Sequence, residues 1–487
     1  MKTHPRTQSH LLVPIAALLL VGAVFPLTSP ANAAAASGDW PHWRGPQANG
    51  IAPAGNPPTT WSETENVKWK VKLTGTGTGT PIVVGNQIFL QSALATGKRI
   101  ETNAEPKKEA RAFAPQVFGQ AQNPTEAPPG GDGQRRRRGG GGPGGGFGGR
   151  SEKPSEVHQF LLTSIDRVTG KTQWQKVVRE EVPHEGHHRD HGFASHSPLS
   201  DGQHVYAWFG SRGLHCYTLQ GEKKWEKNFG QIRSANTFGE GNSPALHGDT
   251  LVVNWDHEGE DFIAALDKRT GKELWRQPRE EKTTWTTPYI VEHDGKAQVI
   301  VCASQRIRSY DLATGKQIWE CGGLFANVVP TPVSGFGMVY AMSGHRGNAL
   351  LAIKLGRTGD LTDTDAIAWR HGKSTPYVPS SLLMGERLYC FAGNNAIVSC
   401  FNAKSGQVLF EGERLEGPSG FYASMVGAAG RLYFAGRNGT SVVLKDSDKL
   451  EILATNKLDE KFDASPAIVG RELFLRGHGH LYCLAEK

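Results

Sequence analysis

The chain has 487 residues, with 54 lysines and arginines against 47 aspartates and glutamates, and its formal net charge is +7. Residues 98–153 contribute +5 of this charge and the first 33 residues contribute +2, so the rest of the chain is close to neutral. A neutral body excludes a protein that binds nucleic acid through its overall charge.

The first 33 residues have the pattern of a signal peptide. A positively charged start precedes an apolar run from Leu11 to Leu27, and Ala31–Ala33 supply a small-residue cleavage site. An uncleaved membrane anchor is the alternative, but Pro14 and Pro26 interrupt a run that is already short for a membrane span. No cysteine lies nearby for a lipid anchor. We therefore expect a soluble, exported monomer in the periplasm or outside the cell.

Two further segments lie outside the predicted repeats. Residues 34–66 form an N-terminal extension that contains D-W-P-H-W-R-G-P, starting at Asp39. Residues 97–157 are rich in Gly, Pro and charge, including the arginine run 135–138, and cannot bury enough apolar surface to become ordered. We expect a disordered insertion in the first blade. Its arginines act either as a solvated linker or as an attraction for an anionic polymer or membrane.

The remainder of the chain repeats one phrase. Asp166, Asp267 and Asp311 each open D-x-x-T-G-K-x-x-W, and Asn402 opens a degenerate copy. An aromatic residue stands eight positions after each of these four: Trp174, Trp275, Trp319 and Phe410. A fixed period of about 40 to 50 residues is typical of stacked units of strands and predicts a β-propeller.

Each repeat begins with a small residue followed by proline, or with a relic of that pair. Eight pairs occur: Thr80-Pro81, Ser197-Pro198, Ser243-Pro244, Thr287-Pro288, Thr331-Pro332, Ser380-Ser381, Ser424-Met425 and Ser465-Pro466. Alternating apolar runs and Gly or Asp turns after each pair predict four strands per repeat. The fold class is therefore all-β, an eight-bladed propeller of four-stranded antiparallel blades over residues 67–487.

The last repeat lacks its Trp strand, because the chain ends soon after Leu481–Leu484. Val67–Val71 carries a Trp strand that no repeat precedes. We predict that this N-terminal strand completes the eighth blade and closes the ring, which removes exposed sheet edges.

These repeats resemble the quinoprotein-type, or pyrroloquinoline quinone-like, propeller family, whose docking motif is A-x-D-x-x-T-G-x-x-x-W. The resemblance runs from Asp39 to the C-terminus, and D-W-P-H-W-R-G-P is similar to the start of exported bacterial members. It implies the propeller fold. It leaves function open, because the family includes quinone-dependent dehydrogenases and also propellers without cofactor that bind other proteins, such as the outer-membrane assembly lipoprotein.

Six cysteines in an exported protein suggest disulfides. Cys216, Cys400 and Cys483, however, occupy a third-strand position that is Ala or Ser in other repeats, which indicates a packing site for small residues. A bridge between Cys390 and Cys400 stays open as an alternative that requires a particular register.

Function is expected on one face of the ring. The loops from each fourth strand to the next first strand, together with the turns between second and third strands, share a face that we call the loop face. The T-G-K turns share the opposite turn face. The sequence concentrates its unusual residues on the loop face. We predict that the following residues contact a ligand there: Arg212, Arg233, Asn236, Glu240, Asn242, Trp285, Arg306, His345, Arg346, Arg437 and His478.

The arginines of this set have two interpretations. An Arg fork suits carboxylate or phosphate, so they could hold an anionic ligand at the channel mouth. Alternatively, each pairs with an acidic residue of a neighbouring blade. Trp285 lies outside the recurring Trp position, so it is the tryptophan that we consider for ligand contact, although packing is the other interpretation.

A histidine-rich loop, residues 184–191, precedes the second repeat, and His196 follows it. Imidazoles and carboxylates are ligands for Zn or Cu, so the sequence suggests a metal site that combines loop histidines with acidic and imidazole groups of the third blade. Its predicted ligands are His187, His191, His196, Asp256 and His257. A histidine-rich surface loop without metal is the alternative.

Pyrroloquinoline quinone with calcium is a cofactor implied by the resemblance alone. The family's quinone enzymes cover the ring with an adjacent-cysteine disulfide, and no two cysteines are adjacent in this sequence. The sequence contains neither a haem C-x-x-C-H motif nor a nucleophile elbow. We therefore expect a non-catalytic protein that binds another protein or an envelope polymer on the loop face. A quinone-dependent oxidoreductase and a metal enzyme at the histidine cluster are the alternatives.

Overall fold

The computed structural model describes residue 1, residues 38–100 and residues 153–486. In these ranges the chain forms eight antiparallel sheets of four strands each, with a fifth short strand added to one of them, and no α-helix. The eight-bladed propeller predicted from the repeats is confirmed. No helix in the described ranges is long and apolar enough to cross a membrane.

The first half of the ring contains blades 1 to 4. The N-terminal strand is β1 (Val67–Lys72). Blade 1 is β2 (Ile82–Val84), β3 (Gln87–Arg99), β4 (Glu156–Asp166) and β5 (Thr172–Glu181). Blade 2 is β6 (Leu199–Ser200), β7 (His204–Trp208), β8 (Leu214–Thr218) and β9 (Lys223–Lys227). Blade 3 is β10 (Ala245–His247), β11 (Thr250–Asn254), β12 (Phe262–Asp267) and β13 (Glu273–Pro278). Blade 4 is β14 (Tyr289–His293), β15 (Lys296–Val301), β16 (Ile307–Asp311) and β17 (Gln317–Cys321).

The second half contains blades 5 to 8. Blade 5 is β18 (Val333–Gly335), β19 (Met338–Ser343), β20 (Ala349–Lys354) and β22 (Ile367–His371), and β21 (Gly359–Asp360) lies within its longest connection. Blade 6 is β23 (Leu382–Met384), β24 (Arg387–Phe391), β25 (Ile397–Asn402) and β26 (Val408–Arg414). Blade 7 is β27 (Val426–Ala428), β28 (Arg431–Ala435), β29 (Thr440–Lys445) and β30 (Ile452–Lys457). Blade 8 is β31 (Ala467–Val469), β32 (Glu472–Arg476) and β33 (His480–Leu484), completed by β1.

The ring closes as predicted, through the N-terminal strand. Strand β1 pairs antiparallel with β33, with Trp69 opposite Cys483 and Lys72 opposite His480. The last blade therefore has its fourth strand, and the ends of the chain are joined by a sheet. A closed ring leaves no blade missing an outer strand that another molecule could supply.

The recurring Asp and Trp have separate roles. Asp311 Oδ1 accepts the backbone N–H and the hydroxyl of Thr314, which fixes the tight T-G-K turn. The Trp275 ring of the preceding blade packs on Gly315 of that turn, and its Nε1 donates to the Leu312 carbonyl at 2.8 Å. A Cβ on Gly315 would lie 2.6 Å from the ring. The repeat is therefore a contact between neighbouring blades.

The same contact recurs around the ring. Indole N–H groups donate to a carbonyl of the next blade at 2.8–3.0 Å from five tryptophans: Trp69, Trp174, Trp225, Trp275 and Trp369. Trp319 differs, since its indole donates to Gln298 within its own blade. The next blade has a long connection there, and its strand β21 pairs in parallel with β17 beside Trp319. This fifth strand was not predicted.

All six cysteines are free and buried. Strand register decides the pair left open by the sequence: Cys400 lies opposite Tyr389, and Cys390 lies opposite Ser399. The two thiols therefore point to opposite faces of the sheet. Cys216 and Cys483 each lie opposite a recurring Trp, which explains why this position accepts only small residues.

The N-terminal extension lies across the channel on the turn face. Trp40 pairs with Val83 of the first inner strand, and Ile51 pairs with Gly427 of the inner strand of blade 7. Between them the buried Arg44 donates to the Ser381 carbonyl at 2.6 Å and the Met425 carbonyl at 2.9 Å. The extension therefore closes one end of the channel.

Two predicted segments fall wholly or largely outside the described residues. The signal peptide, 1–33, is one of them, apart from residue 1. Of the insertion at 97–157, only the ends are described, and they belong to strands: β3 continues to Arg99, which pairs with Glu156 of β4. Blade 1 is thus extended a few residues beyond the boundaries predicted for the insertion.

Candidate functional site

A belt of hydroxyl groups surrounds the channel. It consists of the small residue of every repeat-opening pair: Thr80, Ser197, Ser243, Thr287, Thr331, Ser380, Ser424 and Ser465. Six backbone N–H groups of the belt donate to the hydroxyl oxygen of the next blade's belt residue at 2.8–3.1 Å. The small residues therefore recur because they join the inner strands. In the described part of the chain, no protein acceptor is found for the hydroxyl hydrogens.

A second tier of residues lies two positions before the belt. Because side chains alternate along an extended chain, residues two apart point to the same side. All eight of these residues line the same cavity as the belt: Thr78, Ser195, Gly241, Trp285, Val329, Val378, Tyr422 and Asp463. Unlike the belt, this tier varies from blade to blade. It gives the cavity an asymmetric, specific lining.

The cavity has a volume of about 370 Å³ and opens on the loop face. Trp43 of the N-terminal extension lines its closed end, and the remaining wall comes from the loops: His188, Asp190, His191, Phe238, His345 and Tyr377. This volume lies in the roughly 300–1,000 Å³ range of small-molecule sites. The propeller therefore has a blind central pocket.

The aromatic side chains of the pocket are held in place. Trp285 Nε1 donates to the Gly239 carbonyl at 2.8 Å, and the ring is nearly buried. His345 stacks on Tyr377 with ring centroids 4.7 Å apart. The Arg437 guanidinium lies 3.8 Å from the centre of the Tyr422 ring. Rigid rings of this kind can contact a ligand with little loss of side-chain entropy.

The two acidic residues of the pocket, Asp190 and Asp463, are paired with cationic side chains that lie outside the pocket lining. Arg437 donates to Asp463 at 2.7 Å and to Asp190 at 2.9 Å, and Lys461 lies within 4 Å of both carboxylates. Burial alone would raise the pKa of Asp463, but hydrogen bonds from His478 and Arg437 hold it below its ordinary value. Both acids are therefore ionised and paired, and the lining itself contains no Lys or Arg.

Burial lowers the pKa of His191 to about 4, so this pocket residue is neutral at pH 7. Its Nδ1 lies 2.9 Å from the Gly192 N–H and 3.1 Å from the Ser195 hydroxyl. Burial also lowers the pKa of the adjoining His196 to about 3, and neither ring nitrogen of His196 has a partner in the described part of the chain.

Acidification should destabilise the fold through His196. Its pKa is lower when folded than the ordinary value near 6.5, so the unfolded chain binds more protons, and stability present above pH 6.5 is lost as the pH falls toward 3. Between about pH 6.5 and 5, we expect the free energy of unfolding of the parent to fall by about 2 kcal/mol more than that of His196→Leu. Urea unfolding at both pH values measures this. A pH dependence of stability in His196→Leu equal to that of the parent would contradict this prediction.

Most of the arginines have partners within the protein, as in the second of the two interpretations, and an anionic ligand at the channel mouth stays a prediction. Arg212 is buried and pairs with Glu240 at 2.8 Å, Arg306 pairs with Glu320 and Asp360, and Arg437 pairs as described above. Arg476 donates to two carbonyls, and burial lowers its pKa to about 9. Among the arginines predicted to contact a ligand, Arg346 is the one that is exposed and has no side-chain hydrogen bond within the described residues.

The other predicted ligand-contact residues lie in three different surroundings. Trp285 and His345 line the pocket, and His478 binds Asp463 from behind it. Asn242 is buried and binds Trp208 and the Asn254 carbonyl. Arg233 and Asn236 are exposed outside the pocket.

The predicted metal ligands are only partly brought together. His187, His191 and His196 are neighbours, but Asp256 is fully buried in a two-hydrogen-bond ion pair with Arg279. His257 binds backbone groups of Arg233 and Glu260. In the described ranges no three His, Cys, Asp or Glu side chains are placed to hold a metal ion. Metal binding here stays a prediction, and it requires the loop to rearrange.

Sequence reasoning missed the main walls of the pocket. Trp43, Phe238, Tyr377, Tyr422 and Asp463 were not among the predicted ligand contacts. Three of the missed residues carried no repeating signal. Tyr422 and Asp463 did, since each stands two positions before a belt residue and the belt was already recognised as a repeat.

Comparison with known proteins identifies the family. The family model described as outer membrane protein assembly factor BamB matches residues 158–411, more than half of the chain. The chain belongs to this family of pyrroloquinoline quinone-like propellers. No curated protein matches it.

Two dehydrogenase structures share the propeller fold over most of this chain. Quinohemoprotein alcohol dehydrogenase from Comamonas testosteroni is 11% identical, with a TM-score of 0.57 over 94% of this chain and 84% of its own. A europium-containing methanol dehydrogenase is 10% identical, with a TM-score of 0.53 over 91% of this chain and 90% of its own. BamB from Moraxella catarrhalis is 14% identical, with a TM-score of 0.48 over 66% of this chain and 91% of its own. At these identities the likeness concerns the fold.

The pocket of this family member does not fit pyrroloquinoline quinone. That quinone carries several carboxylates, and burying several anionic groups together requires cationic partners. The lining offers two carboxylates instead, Asp190 and Asp463, and the arginine nearest to them is already engaged by both. A calcium ion would need a group of acidic oxygens, and the described residues do not gather one. We therefore derive no catalytic step through this cofactor.

Proposed function

We propose that this protein is an exported binding protein that captures a protein or an envelope polymer on its loop face, with the central pocket receiving a projecting part of the partner. The observation that carries the proposal is the pocket itself. It is blind, it has a volume of about 370 Å³, and it is lined by a tier of residues that contains seven residue types in eight blades. Sites with apolar walls and a few fixed polar groups are the usual ligand sites of folded proteins.

The chemistry of the lining supports binding rather than catalysis. A general acid or base needs a free group whose pKa lies near the working pH. Asp190 and Asp463 are instead ionised and held by Arg437. His191 is neutral, and its Nδ1 is engaged by its own loop. These groups can orient a ligand, but they are not poised to transfer protons.

The opposite face of the ring, the turn face, is less suited to binding a specific partner. It is built from repeated T-G-K turns, and the N-terminal extension covers the channel there, with Arg44 buried among carbonyls. The T-G-K turn is identical in three blades, and a surface that repeats in this way offers little to distinguish one partner from another. The loop face is therefore the face that can be specific.

Partner capture tests the proposal. We expect the double variant Tyr377→Ala, Tyr422→Ala to lose most capture of envelope material from the source cells, because it removes two of the pocket's aromatic walls. The matched control, Lys171→Glu with Lys316→Glu, changes two exposed residues of the turn face and should capture as the parent does. Circular dichroism and melting would establish that both variants are folded. Capture lost only in the lysine variants would show that the turn face binds the partner.

A further inference from the structure

We infer that the pocket is a saccharide site that takes the end of a neutral glycan chain. This inference rests on the proposed function and names the ligand class of the same pocket. Three observations carry it: the unused hydroxyl donors of the belt, the fixed aromatic rings, and the neutralised charge of the lining.

The belt supplies hydrogen-bond donors to the pocket. A hydroxyl has one hydrogen to donate and two lone pairs to accept with. In six belt residues a backbone N–H already occupies an acceptor position of the oxygen, as in Ser380, which receives the Thr331 N–H at 2.9 Å. Since the described chain offers no acceptor for the belt hydrogens, a ligand rich in oxygen atoms would supply them. A saccharide presents such oxygens around its whole edge.

The rings supply the complementary apolar contact. Trp285, Tyr377, Tyr422 and Trp43 lie around the same pocket, and three of them are fixed by the contacts described above. The flat C–H face of a sugar ring packs against an aromatic face, while its hydroxyls reach polar groups at the edge. The indole N–H of Trp43 has no acceptor in the described residues, and a ligand oxygen or a water could accept from it.

The charge of the pocket excludes strongly charged ligands. An anion would meet Asp190 and Asp463 without any Lys or Arg in the lining. A cation would find both carboxylates already paired with Arg437 and within 4 Å of Lys461. The same two carboxylates keep lone pairs that can accept from neutral hydroxyls. A neutral, polyhydroxylated ligand satisfies these groups without breaking an ion pair.

The shape of the pocket favours a chain end. Trp43 and the extension that carries it close the channel at the turn face, so a polymer cannot pass through the ring. The volume of about 370 Å³ admits a short glycan segment rather than a folded protein element. The terminal part of a glycan would enter from the loop face, with the rest of the polymer remaining outside.

A printed array of neutral glycans, followed by tryptophan-fluorescence titration with the best binder, tests the inference. We expect the full-length protein to bind at least one array member with a change in tryptophan emission. Tyr377→Ala should weaken this binding about tenfold, because it removes a stacking ring. Tyr377→Phe retains the ring and should bind nearly as the parent does. Phe336→Ala, at a 44% exposed aromatic residue of the turn face, is the matched control and should not change binding.

The outcomes separate this inference from the proposed function. If no neutral glycan binds, but envelope capture still depends on Tyr377 and Tyr422, the saccharide inference is wrong and the binding proposal stands. If the captured material were destroyed by protease but resisted periodate oxidation, the pocket would bind a protein, and the saccharide inference would again be wrong while the binding proposal stood. Glycan binding that is unchanged by Tyr377→Ala would place the sugar outside this pocket. If the protein showed no glycan binding and no capture that depends on the pocket, both the saccharide inference and the binding proposal would be refuted.

Discussion

Asp256→Ala should destabilise the propeller by about 3–5 kcal/mol, the usual cost of stranding one partner of a buried ion pair. The side chains of Asp256 and Arg279 are both fully buried, and two hydrogen bonds of 2.6 and 3.1 Å join them. The same carboxylate accepts the Thr284 hydroxyl at 2.8 Å, and Arg279 also donates to Tyr310. Removing the carboxylate would leave a buried guanidinium with a single side-chain acceptor.

Urea or thermal unfolding measures this effect, with Asp249→Ala as the matched control. Asp249 is an exposed acid that pairs with Lys268 at 3.2 Å, so its loss should cost less than about 1 kcal/mol. The double variant Asp256→Ala, Arg279→Met should recover much of the lost stability, because no unpaired charge then remains buried. Equal losses for Asp256 and Asp249 would mean that the pair is hydrated and not buried.

Trp275→Ala should cost about 3–5 kcal/mol, the range for truncating a large buried aromatic residue. Trp275 is only 9% exposed, it packs on Gly315 of the next blade, and its indole donates to the Leu312 carbonyl. The change would therefore open a cavity between blades and break a hydrogen bond that joins them. Trp275→Phe should fall between the parent and the alanine variant, since it keeps part of the packing.

The neighbouring Leu274 provides the control for this prediction. Its side chain is 52% exposed on the same strand, so Leu274→Ala should change the unfolding free energy by less than about 0.5 kcal/mol. A small effect of Trp275→Ala, comparable to that of Leu274→Ala, would show that the recurring tryptophan does not hold the blades together.

The fold could be predicted from the sequence because the same contact recurs between successive blades. A Trp that packs on the next blade's T-G-K glycine must recur with the blade period, so the contact is visible as a repeat. The closing strand was predictable for a related reason: Trp69 lacked a preceding repeat, and the last repeat lacked a Trp. Strand β21 was missed because it uses a connection that no other blade shares.

The pocket was predictable only in part. Its belt repeats, so its members were found as a pattern, although without the role of their hydroxyls. Tyr377, Phe238 and Trp43 each occur once, on loops or in the extension, and nothing in a linear sequence places them around one channel. The sequence left two interpretations of the arginines open, and only the structure shows that Arg212 and Arg437 pair with acids that lie 28 and 26 residues away in the chain.

The sequence by itself therefore determined the number of blades, their strands, the closure of the ring and the family, since each depends on short-range patterns repeated at a fixed period. Tertiary structure decided which side chains share the central pocket, which charges are paired, and that Cys390 and Cys400 point to opposite faces of their sheet. Those properties depend on ring closure and strand register, which bring together residues such as Asp190 and Arg437, 247 positions apart. A periodic pattern specifies the equivalent positions of a propeller, but it cannot specify what the unique side chains meet at the centre.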